Sequence, residues 1–385
     1  MSLARFSRRR MSPVLIDNSG PLEAALNDLG DTPWLALDTE FLRERTYYPK
    51  LCLLQIGAPH ADYFVDTLVC SDSARLREFL ADTRQVKIIH AARQDLEALS
   101  HAGICPVQPI FDTQVAAALI GHPDQVAYAW LVQHYCAVTL DKSQTRTDWT
   151  QRPLSPAQLA YAQDDVKYLG TLYEILSQAL TDADKLGWLW EETAGVAEAI
   201  REAELPTEAW RRVRGIGTLT ARGLVRAKAL AHWRELTAQR LDCPRGWLLK
   251  DEALLMVAAQ ASVSMATLGK LVGIAPATLR RHGEAMLAVL EATEGEPGLN
   301  HQYWRLSAEG TRLLGELQEL VRLCAAEVQA SATLIASRRD LEALILGDPP
   351  RRLLQGWRAA LLGSALVAKV AQCPLEARRQ VVHAR

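Results

Sequence analysis

A short apolar run that ends in two carboxylates constrains the fold more than any other feature of the sequence. Residues 34–41 are "WLALDTEF", in which the run from Trp34 to Leu37 precedes Asp38 and Glu40. Such a run predicts a buried strand, and residues i and i+2 of a strand lie on the same face. Because buried charges are costly when they are unpaired, the fold must supply a compensating group at this place.

Two further acids are predicted at the same edge of the sheet. Asp95 follows the buried strand predicted for "VKIIHA", and sites in open α/β sheets form at the carboxyl ends of strands. Asp165 lies in the periodic helix "LAYAQDDVKYL", where Tyr161 precedes it by four residues and shares its face. Taken singly, each acid also fits a solvent-exposed charge, and Asp95 fits a first-turn residue favoured by the helix dipole.

Four convergent carboxylates predict a metal site. Such a cluster is tolerable when two divalent cations lie within it, and hard oxygen ligands suit Mg²⁺ or Mn²⁺. A pair of these ions is a known device for in-line phosphoryl displacement. Two neighbouring acids are not expected to join the cluster. Asp164 points about 100° away from Asp165 on the helix and is expected in solvent, and Asp112 is predicted to cap the following helix.

The order of the predicted elements indicates an α/β domain followed by helices. Strands over residues 34–66 suggest an antiparallel meander, and alternating helices and strands follow. From Glu208 onward no strand pattern is found, and a break at Glu291–Asn300 separates two helical segments of similar length with faint internal similarity. The predicted fold is a mixed-sheet α/β domain with two small all-α bundle domains. The predicted domain ranges are 12–200, 207–290 and 298–377.

Composition favours a soluble, multidomain protein of the cytoplasm. The chain has 385 residues, 49% of them hydrophobic and 23% charged. No apolar run reaches the ~18 residues of a membrane span, and the basic N-terminus lacks the apolar segment of a secretory signal. Seven scattered cysteines without a C-x-x-C pair indicate reduced thiols and argue against structural zinc. Neither a membrane nor a protein partner is implied.

A local excess of basic residues indicates a nucleic-acid surface. The net charge of the chain is −2, but Arg211–Lys250 contains ten Lys or Arg and two acids, a local charge of +8. Such an excess is typical of a phosphate-binding surface, and a solvated helical face is the alternative. Candidate contacts near its start are Arg211, Arg212 and Arg214.

Three motifs in order resemble those of a known superfamily. The segments "DTEF", "HAARQDLEAL" and "YAQDDVKYL" resemble the exonuclease motifs of the DEDD superfamily, tyrosine subgroup. The longer stretches "DTEFLRERTYYPKLCLLQIG" and "DKSQTRTDWTQRPLSPAQLAYAQDDVKYL" resemble the ribonuclease D family. The basic segment is similar to the helicase-and-RNase-D C-terminal (HRDC) domain. The resemblance covers nearly the whole chain and weakens beyond about residue 295.

This resemblance implies a ribonuclease H-like first domain and a metal-dependent exonuclease. Its metal-binding acids match Asp38, Glu40, Asp95 and Asp165, and the tyrosine that orients the attacking water matches Tyr161. The implied reaction is 3′→5′ removal of single nucleotides from RNA, with release of nucleoside 5′-monophosphates. The implied substrates are structured RNA precursors, chiefly the 3′ trailers of transfer RNA. The last domain is implied to be a divergent second copy of the helical module.

Roles follow for the acids and the tyrosine. One ion, held by Asp38, Glu40 and Asp165, is expected to activate the attacking water. A second ion, held by Asp38 and Asp95, is expected to stabilise the leaving 3′-oxygen. Tyr161 is a poor base at a pKa of ~10, so its hydroxyl is expected to aim the water.

Further residues are candidates for contact with the terminal nucleotides. Thr39 and Phe41 flank the acids, although Phe41 fits the core equally well. His90 is the first residue of the second motif, and a structurally satisfied histidine is the alternative. The third candidate region is the loop that contains Trp149, whose ring could stack on a base of the substrate. The alternative is that this loop is packed within the protein. The basic candidates in this loop are Arg146 and Arg152.

Two other functions are compatible with the same acids. A DNA 3′→5′ exonuclease would have the same active site, because the acids do not contact the feature that distinguishes the sugars. No G-x-x-x-x-G-K-[ST] loop of a helicase is present in the sequence. A non-catalytic RNA-binding protein on a decayed nuclease fold is the other alternative, and the presence of all five catalytic positions argues against it.

Overall fold

The computed structural model describes residues 13–70, 73–141, 144, 147–260, 262–296 and 304–381. Contacts divide the chain into two compact units. The first unit comprises the described parts of Met1–Arg43, Pro49–Ala197 and Val321–Ser337. The second comprises the described parts of Glu44–Tyr48, Glu198–Leu320 and Arg338–Arg385. The three predicted domain ranges are not tested by this division and stay predictions.

The described residues of the first unit form a six-stranded mixed sheet with strand order β1-β4-β3-β2-β5-β6. Its strands are β1 Val14–Ile16, β2 Trp34–Leu42, β3 Lys50–Gly57, β4 Asp62–Val65, β5 Val86–Ile89 and β6 Ile110–Asp112. Strand β3 is antiparallel to both β2 and β4, whereas β5 is parallel to β2 and β6 to β5. The predicted mixed sheet and its antiparallel meander are therefore confirmed.

Helices cover this sheet. The helices of the first unit are α1 Ser19–Leu29, α2 Ser73–Leu80, α3 Arg93–His101, α4 Thr113–Leu119, α5 Tyr128–Cys136, α6 Pro156–Lys167, α7 Leu169–Asp182 and α8 Leu186–Ala194, and the next helix, α9 Val196–Glu204, belongs mostly to the second unit. Helix α6 packs on β2 and β3. It begins with a capping box, in which the Ser155 hydroxyl accepts from the Gln158 amide and the Gln158 side chain bonds the Ser155 backbone. The start of α6, and with it the position of its acidic face, is thus set locally.

Helix α7 approaches strand β2 closely through a glycine. A Cβ placed on Gly170 would lie 2.5 Å from Cζ2 of Trp34 and closer still to Cη2. Trp34 is the first residue of the strand that carries Asp38 and Glu40. The absence of a side chain at Gly170 therefore lets the helix seat on the indole that anchors this strand.

The later part of the chain is mostly helical. Its helices are α10 Ala221–Leu241, α11 Arg245–Leu248, α12 Asp251–Ala259, α13 Met265–Leu268, α14 Pro276–Glu291, α15 Ala308–Glu327, α16 Ala332–Ile335, α17 Arg338–Leu346, α18 Arg351–Leu354, α19 Gly356–Arg358, α20 Ser364–Ala371 and α21 Leu375–Arg378. Helix α10 contacts α12 and α14 and contributes Leu224 and Leu230 to a buried core shared with Leu254 and Met286. This core belongs to the first predicted helical bundle.

One expectation for this region was wrong. A two-stranded antiparallel sheet joins β7 Trp304–Leu306 to β8 Arg379–Val381, although no strand was expected beyond Glu208. Three residues are too few to give a detectable alternation of apolar and polar side chains. The Arg379 guanidinium lies 3.8 Å from the centroid of the Trp304 ring, so a contact between distant parts of the sequence holds the pair together.

Among the described residues, no single helix is long and apolar enough to cross a membrane. The helical stretches Ala308–Glu327 and Ala332–Leu346, bent by 115°, satisfy the length and composition of a span only when they are taken together.

The contact between Gly170 and Trp34 predicts a destabilised variant. We expect Gly170→Ala to lower the free energy of unfolding by about 1–3 kcal/mol, because the added methyl group overpacks the indole. Gly187→Ala is the matched control, since a Cβ there meets nothing within 4 Å. It should leave the stability unchanged or raise it by up to about 1 kcal/mol. Urea unfolding measures both, and equal stabilities of the two variants would contradict the close approach.

Candidate active site

Three carboxylates from two elements meet at one point. Asp38 and Glu40 come from the second half of β2, and Asp165 comes from the last turn of α6. One carboxylate oxygen of each lies within 4.8 Å of the others. The predicted sharing of a strand face by Asp38 and Glu40 is confirmed by this geometry. Packing of α6 on β2 therefore brings together acids that are far apart in the sequence.

The fourth acid is held beside this group by a hydrogen bond. Asp95 lies in the first turn of α3, is 8% exposed, and accepts a hydrogen bond of 2.5 Å from the Thr39 hydroxyl. Its charge raises the pKa of both Glu40 and Asp165, after the larger effects of burial and other acids. Thr39, which follows Asp38 directly, thus ties the acidic strand to α3.

Burial and mutual repulsion oppose ionisation of all four acids. Burial, followed by the charges of neighbouring acids, raises the pKa of Glu40 to about 9 and that of Asp165 to about 7. The same two causes raise the pKa of Asp38 well above its ordinary value. Burial raises the pKa of Asp95 to about 6 against the lowering effect of the Thr39 hydrogen bond. The cluster is therefore stable as four anions only when a cation lies within it.

The donor set fits divalent cations of the magnesium type. Every candidate ligand is a carboxylate oxygen, and the described cluster of Asp38, Glu40 and Asp165 offers three within reach of one ion. Hard cations such as Mg²⁺ and Mn²⁺ prefer such ligands, whereas zinc sites are mostly built from Cys and His. The chemistry of these side chains agrees with the divalent metal expected from the sequence.

A fifth acid positions α3 and does not join the cluster. Asp112 is the N-cap of α4, and its Oδ1 accepts from the Gln114 amide at 2.8 Å, which confirms the predicted cap. Its two oxygens also accept from the amides of Ala91 at 3.0 Å and Ala92 at 2.9 Å. Ala91 has a φ of 57°, a backbone conformation that needs support in a residue with a side chain. Asp112 supplies that support at the entry to the helix that carries Asp95.

Tyr161 lies one turn before Asp165 on α6, as predicted. The centroid of its ring lies 6.1 Å from that of Trp149. Trp149 is 2% exposed, so its ring has no free face for a base in this arrangement, and its stacking on substrate stays a prediction. The packed-loop alternative describes Trp149: it supports the tyrosine from the protein side.

The side chain of Arg152 also forms its hydrogen bonds within the protein. Its guanidinium forms two hydrogen bonds with the buried carboxylate of Asp66 and donates to the carbonyl oxygens of Trp149 at 2.7 Å and Cys52 at 2.9 Å. A further bond reaches the carbonyl of Gln151 at 2.8 Å. These bonds use all five N–H donors of the guanidinium, and the contact of Arg152 with substrate stays a prediction. Arg152 fastens its loop to the sheet. Arg146 lies outside the described residues.

Two other residues predicted to contact the substrate, His90 and Phe41, lie in different surroundings. Nδ1 of His90 lies 2.9 Å from the Thr113 hydroxyl, and burial lowers the pKa of His90. The alternative of a structurally satisfied histidine therefore describes His90. Phe41 is partly exposed beside Glu40, and its contact with a base or sugar stays a prediction.

Arg211 and Arg214 lie at the surface of the second unit. The Arg211 guanidinium pairs with Glu208 at 2.5 Å and lies over the Trp210 ring, 4.8 Å from its centroid. The backbone amide of Arg214 donates to Asp251 at 3.1 Å, and its side chain is exposed. Both arginines are accessible to a phosphate, and their contact with RNA stays a prediction.

Arg212 differs from these two arginines because it neutralises a buried acid. It donates at 2.8 Å to Glu235, whose side chain is 1% exposed on α10. Glu235 also accepts a hydrogen bond from the Tyr47 hydroxyl and pairs with Arg245 at 3.3 Å. An arginine that compensates a buried charge is costly to redirect, so the structure gives Arg212 a structural task in the basic segment.

Sequence reasoning missed one residue beside the acids, Tyr128 of α5. Its hydroxyl donates to the carbonyl of Asp164 at 3.0 Å and accepts from the amide of Tyr168 at 3.3 Å. Burial, and then the charges of Asp165 and Asp38, raise the pKa of Tyr128 well above its ordinary value. The hydroxyl therefore bridges the break between α6 and α7 next to Asp165. No local pattern marks such a contact, because it joins residues that are distant in sequence.

Two family models match the chain. The 3′-5′ exonuclease model matches residues 13–181, and the HRDC domain model matches residues 224–290. The first contains all five predicted catalytic positions, and the second contains most of the basic segment. The resemblance to an exonuclease joined to an HRDC domain is thereby confirmed.

Curated relatives match over almost the whole chain. Ribonuclease D of Gluconacetobacter diazotrophicus is 37% identical, with 92% of each chain covered. Ribonuclease D of Granulibacter bethesdensis is also 37% identical, with 95% of each covered. Among solved structures, Escherichia coli RNase D, described as an exoribonuclease involved in structured RNA processing, is 30% identical with a TM-score of 0.86. That match covers 94% of this chain and 100% of the other.

The raised pKa of Asp165 predicts a pH-dependent gain in stability when its charge is removed. Below pH ~4 both states are protonated and Asp165 contributes nothing. Between its ordinary pKa of 3.8 and the folded value of about 7 the unfolded state loses its proton first, so the folded state loses stability as the pH rises. Asp165→Asn should therefore stabilise the metal-free protein by about 1–3 kcal/mol near pH ~8 and little near pH ~4.

Urea unfolding in the presence of EDTA measures this gain. Asp124→Asn is the matched control, because Asp124 is a partly exposed acid outside the cluster, whereas the charge of Asp164, although its side chain is 37% exposed, contributes to the raised pKa of Asp165. The effect of Asp124→Asn should stay below about 0.5 kcal/mol at either pH. An Asp165→Asn protein that is less stable than the wild type near pH ~8 would contradict the repulsion within the cluster.

Proposed function

This chain belongs to the ribonuclease D family of 3′→5′ exoribonucleases, and on that premise we propose a metal site. One divalent ion is held at its active site by Asp38, Glu40 and Asp165. RNA is the substrate class of this enzyme, and divalent metal is needed for its hydrolysis of phosphodiester bonds. The observation that supports the proposal is the meeting of the three carboxylates within 4.8 Å. Their raised pKa values give the physical reason for a cation there.

A second ion completes the proposal. Asp38 and Asp95 hold it, so that Asp38 is shared between two ions, either Mg²⁺ or Mn²⁺. Bound there, the ions would polarise the attacking water and stabilise the leaving 3′-oxygen. The hydrogen bond from the Thr39 hydroxyl orients the Asp95 carboxylate. Thr39 therefore acts in this proposal through Asp95.

Tyr161 orients the attacking water in this proposal. It lies one helical turn before Asp165 on α6, and residues four apart share a helix face, so we expect its hydroxyl on the side of the cluster where the Asp165 carboxylate lies. A phenol with an ordinary pKa of ~10 is a weak base, and a hydrogen bond that aligns the water is its proposed contribution. Trp149, packed beside the ring, restricts the positions that the phenol can take.

The proposed substrates are transfer RNA precursors with 3′ trailers, shortened one nucleotide at a time to release nucleoside 5′-monophosphates. Support comes from the curated relatives called ribonuclease D and from the structured RNA processing of the Escherichia coli enzyme. The exposed arginines Arg211 and Arg214 are proposed to contact phosphates of the RNA body. A cytoplasmic location is proposed because the seven cysteines are free thiols.

One assay tests the metal assignment. An RNA hairpin with a single-stranded 3′ tail, labelled at its 5′ end, is incubated with Mg²⁺ and with EDTA. The wild type should produce a ladder that shortens by single nucleotides only with Mg²⁺. Asp38→Asn should slow this reaction at least about a thousandfold, because several kcal/mol of transition-state stabilisation depend on the ions. Tyr161→Phe should cost only about 10–100-fold, because it removes one aligning hydrogen bond.

Two controls complete the assay: one measures the affinity for RNA, and the other compares RNA with DNA as substrate. Affinity for the same RNA, measured in EDTA by filter binding, should change less than about threefold in Asp38→Asn, since the variant removes an ion ligand and no phosphate contact. A matched DNA strand should be a poor substrate for the wild type. Near-normal turnover by Asp38→Asn would refute the assignment of this residue as the shared ligand, and preferential degradation of DNA would refute the proposed RNA substrate.

A further inference from the structure

A buried glutamine next to the acids has no hydrogen-bond partner. Gln55 of β3 is fully buried, and within the described residues neither its Nε2 nor its Oε1 has a partner. Buried amide groups in native proteins are nearly always paired, and an unpaired one indicates a water, an ion or another group that the site takes up. No role was predicted for Gln55 from the sequence.

The sheet register places this amide beside the acidic cluster. In the antiparallel pair, Gln55 lies directly opposite Asp38, and Leu53 lies opposite Glu40. Side chains of directly opposite residues lie on the same face of the sheet, with Cβ atoms about 4.5–5.5 Å apart. Gln55 and Asp38 are therefore neighbours across the strands.

The helix that carries the third acid covers the same face. Gly57 lies two residues after Gln55 on β3 and so shares its face. A Cβ built on Gly57 would lie 3.2 Å from the Cβ of Val166, the residue after Asp165 on α6. The amide of Gln55 is thus enclosed between β3 and α6, in the layer that contains Asp38 and Asp165.

We propose that Gln55 is a positioning residue for the ion site, whose amide donates a hydrogen bond to the Asp38 carboxylate when divalent ions are bound. This inference rests on the proposed function, because it assigns Asp38 as the shared ion ligand. A shared ligand must present its two oxygens in different directions. A neutral donor that orients it adds no further negative charge to a cluster of four acids. An outer partner of this kind typically contributes 10–100-fold to metal affinity.

Gln55→Leu tests the proposal, because leucine fills a similar volume and has no hydrogen-bonding group. Mn²⁺ affinity is measured by titration calorimetry on the full-length protein without RNA. We expect about 10–100-fold weaker binding than in the wild type. The melting temperature in EDTA should be unchanged or higher, because the substitution removes an unpaired buried amide. In the hairpin assay at one fixed Mn²⁺ concentration, kcat should fall while KM for RNA stays within about twofold.

Gln85→Leu is the matched control. Gln85 is a buried glutamine next to β5, where Val86 pairs with Trp34 at the opposite end of β2 from the acids. Its Nε2 already donates to the carbonyl oxygens of Leu29 at 2.6 Å and Thr32 at 3.0 Å. Gln85→Leu should therefore lower the melting temperature and leave the Mn²⁺ affinity unchanged, the reverse of the result expected for Gln55→Leu.

The outcomes separate this inference from the proposed function. Wild-type Mn²⁺ affinity in Gln55→Leu, together with an active, ion-binding wild type, would overturn the role of Gln55 alone. A lower melting temperature with unchanged affinity would also overturn it, since Gln55 would then be a core residue. A wild type that neither binds Mn²⁺ nor shortens RNA would overturn the proposed function itself. If Gln55→Leu does not fold, Gln55→Met, which also lacks an amide, is measured against the same expectations.

Discussion

Repulsion among four desolvated carboxylates is the interaction on which the rest of this structure depends. Asp38, Glu40 and Asp165 are close enough to share one ion, and burial opposes the ionisation of each. Folding brings these groups together at a cost in free energy, which binding of cations offsets. The sheet and α6 have to be rigid enough to hold this arrangement before an ion arrives.

Much of the polar structure around the cluster serves that rigidity. Thr39 fixes Asp95, Asp112 fixes the turn before α3, and Tyr128 bridges the break after α6. Arg152 holds the loop that carries Trp149, and Trp149 packs near Tyr161. Thr39 contacts a member of the predicted site directly, and the other side chains act through one intermediate contact. These side chains therefore support the cluster from the protein side.

The clustering of the acids could be predicted from the sequence because each belongs to a short periodic element. The alternation of β2 places Asp38 and Glu40 on one face, and the helical period of α6 places Tyr161 with Asp165. The mixed sheet followed from the same patterns. Strand β1 was missed because it has three residues, of which only Ile16 is buried, while Val14 and Leu15 are 44% and 41% exposed.

Tertiary partners account for what the sequence did not reveal. Arg152 and Trp149 lie in a segment whose composition suits RNA contact, but Asp66 and the protein interior engage them. Gln55 belongs to an apolar strand, and only the register with β2 shows that it faces Asp38. The pairing of β7 with β8 joins residues more than seventy positions apart. Local periodicity contains no information about such pairs.

Proton release on metal binding tests the central claim most directly. Carboxylates with raised pKa values hold protons in the metal-free protein near neutral pH and must lose them to an ion. Calorimetric titration with Mn²⁺ in two buffers of different ionisation enthalpy counts these protons. We expect release of at least about one proton per chain near pH ~6.5 and a smaller release near pH ~8, with tighter binding at the higher pH. Saturable binding without proton release at either pH would contradict a site built on repelling, desolvated carboxylates.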